Sequence, residues 1–149
     1  MSAPARELLL CGAALLDQGR NVDRLSRPLT VAALIGILIC PAIMTEPPWM
    51  LVAFAMLVAL AGLAEAYLAI RVGFDAALFH QLASTPETPD FAGADAALTR
   101  LGLLPAAKLG RSAEARVAGA RRLIGFQTLA LVAQVLAVLV GACVAWAWR

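Results

Sequence analysis

The 149-residue chain is 62% hydrophobic and 15% charged, with a mean hydropathy of +0.82, which excludes a water-soluble globular domain. Its formal net charge of +2, with basic residues not interleaved with aromatics, excludes a nucleic-acid groove. The class that remains is an all-α, polytopic membrane protein forming one membrane domain, with the lipid bilayer as its first partner.

Residues 4–20 read as an amphipathic helix. Leu8, Leu9, Leu15 and Leu16, with Ala5 and Gly12, share one face, and Arg6, Glu7, Asp17 and Gln18 extend the polar part. No small-x-small cleavage site follows the short apolar run, and Leu10 before Cys11 is too bulky for a lipoprotein-type site. Two placements stay open: on the cytoplasmic leaflet, or against the protein's own cytoplasmic part.

Crossing a bilayer takes about 20 apolar residues for roughly 30 Å of hydrocarbon. The first span, residues 28–45, lies between Arg27 and Glu46 and is the weakest; Pro41 inside it frees the carbonyl of Ile37 and bends the helix. Glu46-Pro47-Pro48 forces a tight turn into the second span, residues 49–70, which only Glu65 interrupts before Arg71. A seam of small residues runs along it at steps of four and three: Ala55, Ala59, Gly62, Ala66, Ala69, Gly73 and Ala76, ending at His80. The seam passes Arg71, so this helix continues to about residue 83 and packs closely against a neighbour.

Residues 84–121 form a helical cytoplasmic segment. The run from Ser84 to Asp90 breaks the chain, Thr88 and Pro89 start a short helix with Phe91, Ala94, Leu98 and Leu101 on its apolar face, and Gly102 with Pro105 stops it. From about Ser112 the chain runs helically into the third span, residues 123–148, which carries a second small-residue row in Ala133, Ala137, Gly141 and Ala145.

Eleven of the twelve basic residues flank the first span on its N-terminal side or lie between spans two and three; only Arg149 falls opposite. Basic residues are retained on the cytoplasmic side, and indoles prefer the interface, where Trp49, Trp146 and Trp148 all fall on the other face. Both signals give a cytoplasmic N-terminus and an outside C-terminus, in a bacterial inner membrane.

The inventory for chemistry is thin. His80 is the only histidine, and Cys11, Cys40 and Cys143 have no paired spacing, so no haem, zinc or iron–sulfur site is expected, and no cofactor. No phosphate loop, serine elbow or carboxylate pair points to an enzyme; one survives only if partner chains complete the site. The intramembrane polar residues are therefore the candidates. Glu65 lies beside the seam, where a carboxyl group is costly unless it has a partner or a task. Gln127 and Gln134 share a face of the third helix, and a hydrogen bond from a glutamine to Glu65 is expected. Arg71 and Asp75 are spaced as an i, i+4 pair, and His80 reads as structural. The resulting expectation is a small accessory or scaffold subunit that packs against other membrane subunits or itself. The alternative is a homo-oligomeric ion or proton channel or transporter using Glu65.

Overall fold

The computed structural model describes residues 3–43, 49–84 and 91–147. Among the described residues the regular structure is helical: α1 (Ala3–Asp17), α2 (Gly19–Ile43), α3 (Trp49–Ser84), α4 (Phe91–Arg100), a single 3-10 turn (Ala106–Lys108) and α5 (Ala113–Ala147). Three stretches of helix are long and apolar enough to cross a membrane, one within Ala5–Ile43 and the others in α3 and α5. The Glu46-Pro47-Pro48 turn, the Thr88–Pro89 start and Trp148 lie outside the described residues.

α3 and α5 contain 36 and 35 residues. At about 1.5 Å per residue each exceeds 50 Å, well beyond the hydrocarbon thickness, so a substantial part of both continues outside it. The α1–α2 run lies antiparallel to α3 and parallel to α5. Arg6 meets the carbonyl of Ala83, Gly19 meets Val72 and Gln127, and Ser26 meets Gln134. Farther along, Ala33 clusters with Val58 and Ala59. The bundle is thus three helical layers wide along its length, with α1 flanking the far end of α3 and α2 the apolar end.

The packing repeat is seven residues. α5 buries Ala113, Ala120, Gln127, Gln134 and Gly141; α3 buries Val58, Glu65, Val72 and Phe79; α2 buries Gly19, Ser26 and Ala33. A strict heptad keeps one face inward when helices wind around each other with a left-handed supercoil. On α3 a second heptad row of small residues, Ala55, Gly62, Ala69, Ala76 and Ala83, alternates with the first, and every member is buried or half-buried. The inward face therefore follows 3–4 spacing and drops parts of the expected seams. Gly73 on α3 and Ala133 on α5 face outward, whereas Ala59, Gly62 and Gly141 are buried and Ala66, Ala137 and Ala145 half-buried.

α1 settles onto the protein itself. Leu9, Ala13 and Leu16 are buried against Val72, Ala76, Phe79, Leu82, Ala113 and Ala120, and Gly12 lets α1 approach Val117 and Phe79. Leu15 instead is exposed. The Nε–H of Arg6 donates to the Ala83 carbonyl at 2.9 Å, satisfying an orphan acceptor in the last turn of α3. Asp17 accepts from His80 at 2.9 Å, so His80 ties α1 to α3 from an exposed position.

α1 and α2 are separated by one turn residue, Gln18, and α2 continues through Pro28 and Pro41. Pro28 cannot donate to the carbonyl of Arg24, a loss that interrupts an isolated helix. Here the flanking residues are engaged: the Thr30 hydroxyl donates to the Ser26 carbonyl at 3.0 Å, and Ser26 is buried in the bundle. α2 therefore begins well before the expected span.

α4 ends on Gly102 at φ +70°, with its N–H on the Thr99 carbonyl and the Leu103 N–H on the Leu98 carbonyl. This is a Schellman ending, which requires the left-handed conformation glycine adopts freely. Leu98 is buried, but Leu101 is 70% exposed and lies off the packed face. α5 starts on Ser112, whose hydroxyl accepts the Ala115 N–H at 3.3 Å.

Candidate functional site

The interior of the bundle holds two polar layers. In the first, Gln127 Nε2 donates to Glu65 Oε1 at 2.7 Å and to the Gly19 carbonyl at 2.9 Å, joining α5, α3 and α2. Gly19 is needed there because a Cβ would lie 2.8 Å from Gln127 Oε1 and 2.9 Å from Val72. In the second layer, Gln134 Oε1 accepts the Ser26 hydroxyl at 2.6 Å, and Gln134 Nε2 donates to Thr30 Oγ1 at 3.0 Å and to the Val58 carbonyl at 3.2 Å. Gly62 backs this layer, leaving room for both Thr30 and the Gln134 amide.

Glu65, Gln127, Gln134 and Ser26 are each 0% exposed. The Gln134 amide has a partner on both its oxygen and its nitrogen. The first layer differs: among the described residues Glu65 Oε2 and Gln127 Oε1 have no hydrogen-bond partner. Both orphan atoms are oxygens that can accept, so the layer leaves two acceptors without a donor. In a poorly hydrated interior an unmade hydrogen bond costs about 1–3 kcal/mol, which makes this the point of the bundle where a donor would gain most.

The two layers also show how the helices are staggered. Arg20, Asp23, Arg24 and Arg27 lie on α2 between Gly19, level with Gln127, and Thr30, level with Gln134. Asp23 accepts from Arg27 at 2.9 Å on the exposed side of α2. At the same level α3 and α5 expose Leu63, Tyr67, Phe126 and Leu129. The charged turn of α2 thus lies beside apolar turns of its neighbours, which puts the Glu65 layer towards one end of the apolar zone.

A separate polar centre lies under α4. Asp95, 4% exposed, accepts Arg116 Nη2 at 2.7 and 2.9 Å and the Gly110 N–H at 2.9 Å. The Arg116 guanidinium also lies 5.1 Å from the centroid of Phe91 and donates through Nε to the Arg111 carbonyl at 3.1 Å. Burial acts to raise the Asp95 carboxyl, but its bonds to Arg116 and Gly110 outweigh that, and it lies below the ordinary carboxylate value. The arrangement is a strut fixing α4 and the following loop to α5.

Of the residues singled out from sequence, Glu65 and Gln127 meet directly, and Gln134 joins a different layer. Arg71 donates to the Tyr67 hydroxyl at 3.2 Å, and among the described residues it forms no ion pair within 4 Å with Asp75. Sequence reasoning missed Ser26, which lies in the charged stretch before the expected first span, Thr30, an uncharged residue just inside that span, and the Gly19 carbonyl, a backbone group that no side-chain pattern marks. The heptad step from Gly19 to Ser26 to Ala33 was the available signal. Among the described residues no group of three histidine, cysteine or acidic side chains could hold a metal ion. Comparison with protein families, with curated proteins and with solved structures gives no match to this chain.

Proposed function

We propose that the protein is a small membrane scaffold or accessory subunit, a self-sufficient helical module whose outer faces receive other membrane helices. The observation that carries this reading is the contrast between two sets of helical glycines. Gly12, Gly19, Gly62 and Gly141 each face a close neighbour inside the bundle, whereas Gly36, Gly73 and Gly125 face open space, one each on α2, α3 and α5. Glycine costs a helix about 1 kcal/mol relative to alanine, and among the described residues none lies within 4 Å of a Cβ at those three positions. A neighbouring helix would need it, since helices in lipid associate through small residues that admit close backbone approach. The buried polar layers support the same reading, because Glu65, Gln127, Gln134 and Ser26 bond to one another across the helices of this chain in place of facing outward. The bacterial inner membrane, with a cytoplasmic N-terminus, is part of the proposal and rests on the asymmetry of basic residues.

The specific observation favouring the alternative, a homo-oligomeric proton or cation conductor using Glu65, is the pair of unpartnered acceptors at Glu65 Oε2 and Gln127 Oε1. The discriminating experiment is the mass of the detergent-solubilised particle, with Gly36→Leu, Gly73→Leu and Gly125→Leu variants alongside. Other subunits or further copies that co-purify with the parent chain and are lost from a folded variant support the scaffold. A monomeric particle unchanged by all three substitutions overturns it.

A further inference from the structure

A cavity of about 490 Å³ opens between α3, the α4–α5 loop and α5. It is within the size range of small-molecule sites, and its lining includes Ile70, Phe74 and Leu103, which are 74%, 46% and 54% exposed. The lining also includes Arg71, Lys108 and Arg111. Among the described residues no carboxylate forms an ion pair with any of these three, whereas Arg116, which also reaches the cavity, is committed to Asp95. Among the described residues, Asp75 alone contributes an acidic group to the lining.

An apolar lining at the end of a long apolar helix, together with three cations against the one carboxylate of Asp75, matches an amphiphile with an anionic head and hydrocarbon tails. We propose that this cavity binds an anionic glycerophospholipid of the surrounding bilayer, with its phosphate on Arg71, Lys108 and Arg111 and its acyl chains along Ile70, Phe74 and Leu103. Basic pockets beside membrane helices bind lipid head groups in this way, and each cation near the phosphate adds to the attraction. A guanidinium also matches phosphate oxygens geometrically, so Arg71 and Arg111 orient the head group while Lys108 supplies charge. The site is distinct from the Glu65 layer and does not depend on the scaffold reading.

The test uses the full chain reconstituted in vesicles of equimolar phosphatidylcholine and phosphatidylglycerol. After re-extraction, the lipid retained per chain is measured by mass spectrometry. The expected result is enrichment of phosphatidylglycerol by at least ~10-fold, lost in the triple variant Arg71→Gln, Lys108→Gln, Arg111→Gln, with helicity checked by circular dichroism. Should the triple variant unfold, Lys108→Gln alone, in a surface turn, is expected to reduce the enrichment measurably. Equal retention of the two lipids, or undiminished enrichment in a folded triple or single variant, overturns the proposal. Displacement of the lipid by millimolar inorganic phosphate would assign the cations to free phosphate and overturn it equally.

Discussion

The side-chain amide of Gln134 lies over Gly62, in space that a Cβ on that residue would occupy together with the Thr30 hydroxyl. Two helices thereby touch at the point where the third is bonded, since the same amide also holds Thr30 and the Val58 carbonyl. Gly62→Ala should lower thermal stability in detergent by about 1–3 kcal/mol, the usual cost of overpacking a fitted interior. The contrasting substitution Gly36→Ala has open space and a gain in helix propensity of up to ~1 kcal/mol. Equal effects of the two changes would show that the Gly62 contact is not fitted.

The Asp95–Arg116 pair gives an acid-dependent prediction outside the apolar zone. A carboxyl held below its ordinary value contributes stability that is fully present above about pH 4 and is lost as pH falls through the folded-state value. α4 and its loop should therefore loosen below about pH 4, seen as faster amide exchange at Gly110. Asp95→Ala should cost about 3 kcal/mol at pH 7, because it strands a guanidinium that is mostly buried. Exchange at Gly110 that is flat across this range would remove the strut role.

Asp75 behaves in the opposite sense. Its burial raises the carboxyl above its ordinary value, against the pull of Arg71, Lys108 and Arg111. A raised carboxyl penalises the folded state above that value and not below the unfolded one, so the penalty grows as pH rises. Asp75→Asn should raise the melting temperature at pH 7 and have little effect near pH 4. A variant less stable than the parent at pH 7 would show that the charge of Asp75 is a net attraction to its basic neighbours.

The long apolar helices were legible because length and lack of charge are first-order consequences of the bilayer, and each is visible in a single stretch of sequence. Which face of each helix points inward was only partly legible. Counting every small residue gave a seam wide enough to include Gly73, which faces outward, while the narrower heptad through Glu65 and Val72 selects the buried face. Leu101 shows a related limit, since it continues the helical spacing of α4 but falls just past the last packed turn. Asp95 was not singled out because its meaning depends on Arg116, brought to it by a turn at Gly102 that no local pattern relates to Arg116. Glu65 and Gln127 were legible as candidates because charge and amide groups stand out against an apolar background, but Ser26 was hidden among charged neighbours and Thr30 carries only a small hydroxyl at the start of the apolar run.

The sharpest remaining prediction concerns Glu65, which separates a structural layer from a conducting one. Gln127 Nε2 donates to Glu65 Oε1, and the two remaining oxygens of the pair, Glu65 Oε2 and Gln127 Oε1, are both acceptors. Glu65→Gln keeps the shape and the acceptor for Gln127, and its new amide nitrogen offers the donor this layer lacks. A structural layer should therefore tolerate Glu65→Gln or gain stability from it, by up to about 1 kcal/mol for one added interhelical hydrogen bond. Glu65→Leu fills a similar volume but leaves the Gln127 amide with only the Gly19 carbonyl, and should cost about 1–3 kcal/mol. The ordering Gln at or above Glu, and both above Leu, is the signature of packing, read as melting temperature in one detergent. A conductor gives a different pattern in reconstituted vesicles: proton or cation flux with Glu65, and none with folded Glu65→Gln, because an amide cannot exchange a proton or balance a cation's charge. Flux that requires Glu65 would transfer the function to the carboxyl group, whereas no flux from intact protein, together with the Gln-above-Leu ordering, leaves Glu65 as the fastening between α3, α5 and the start of α2.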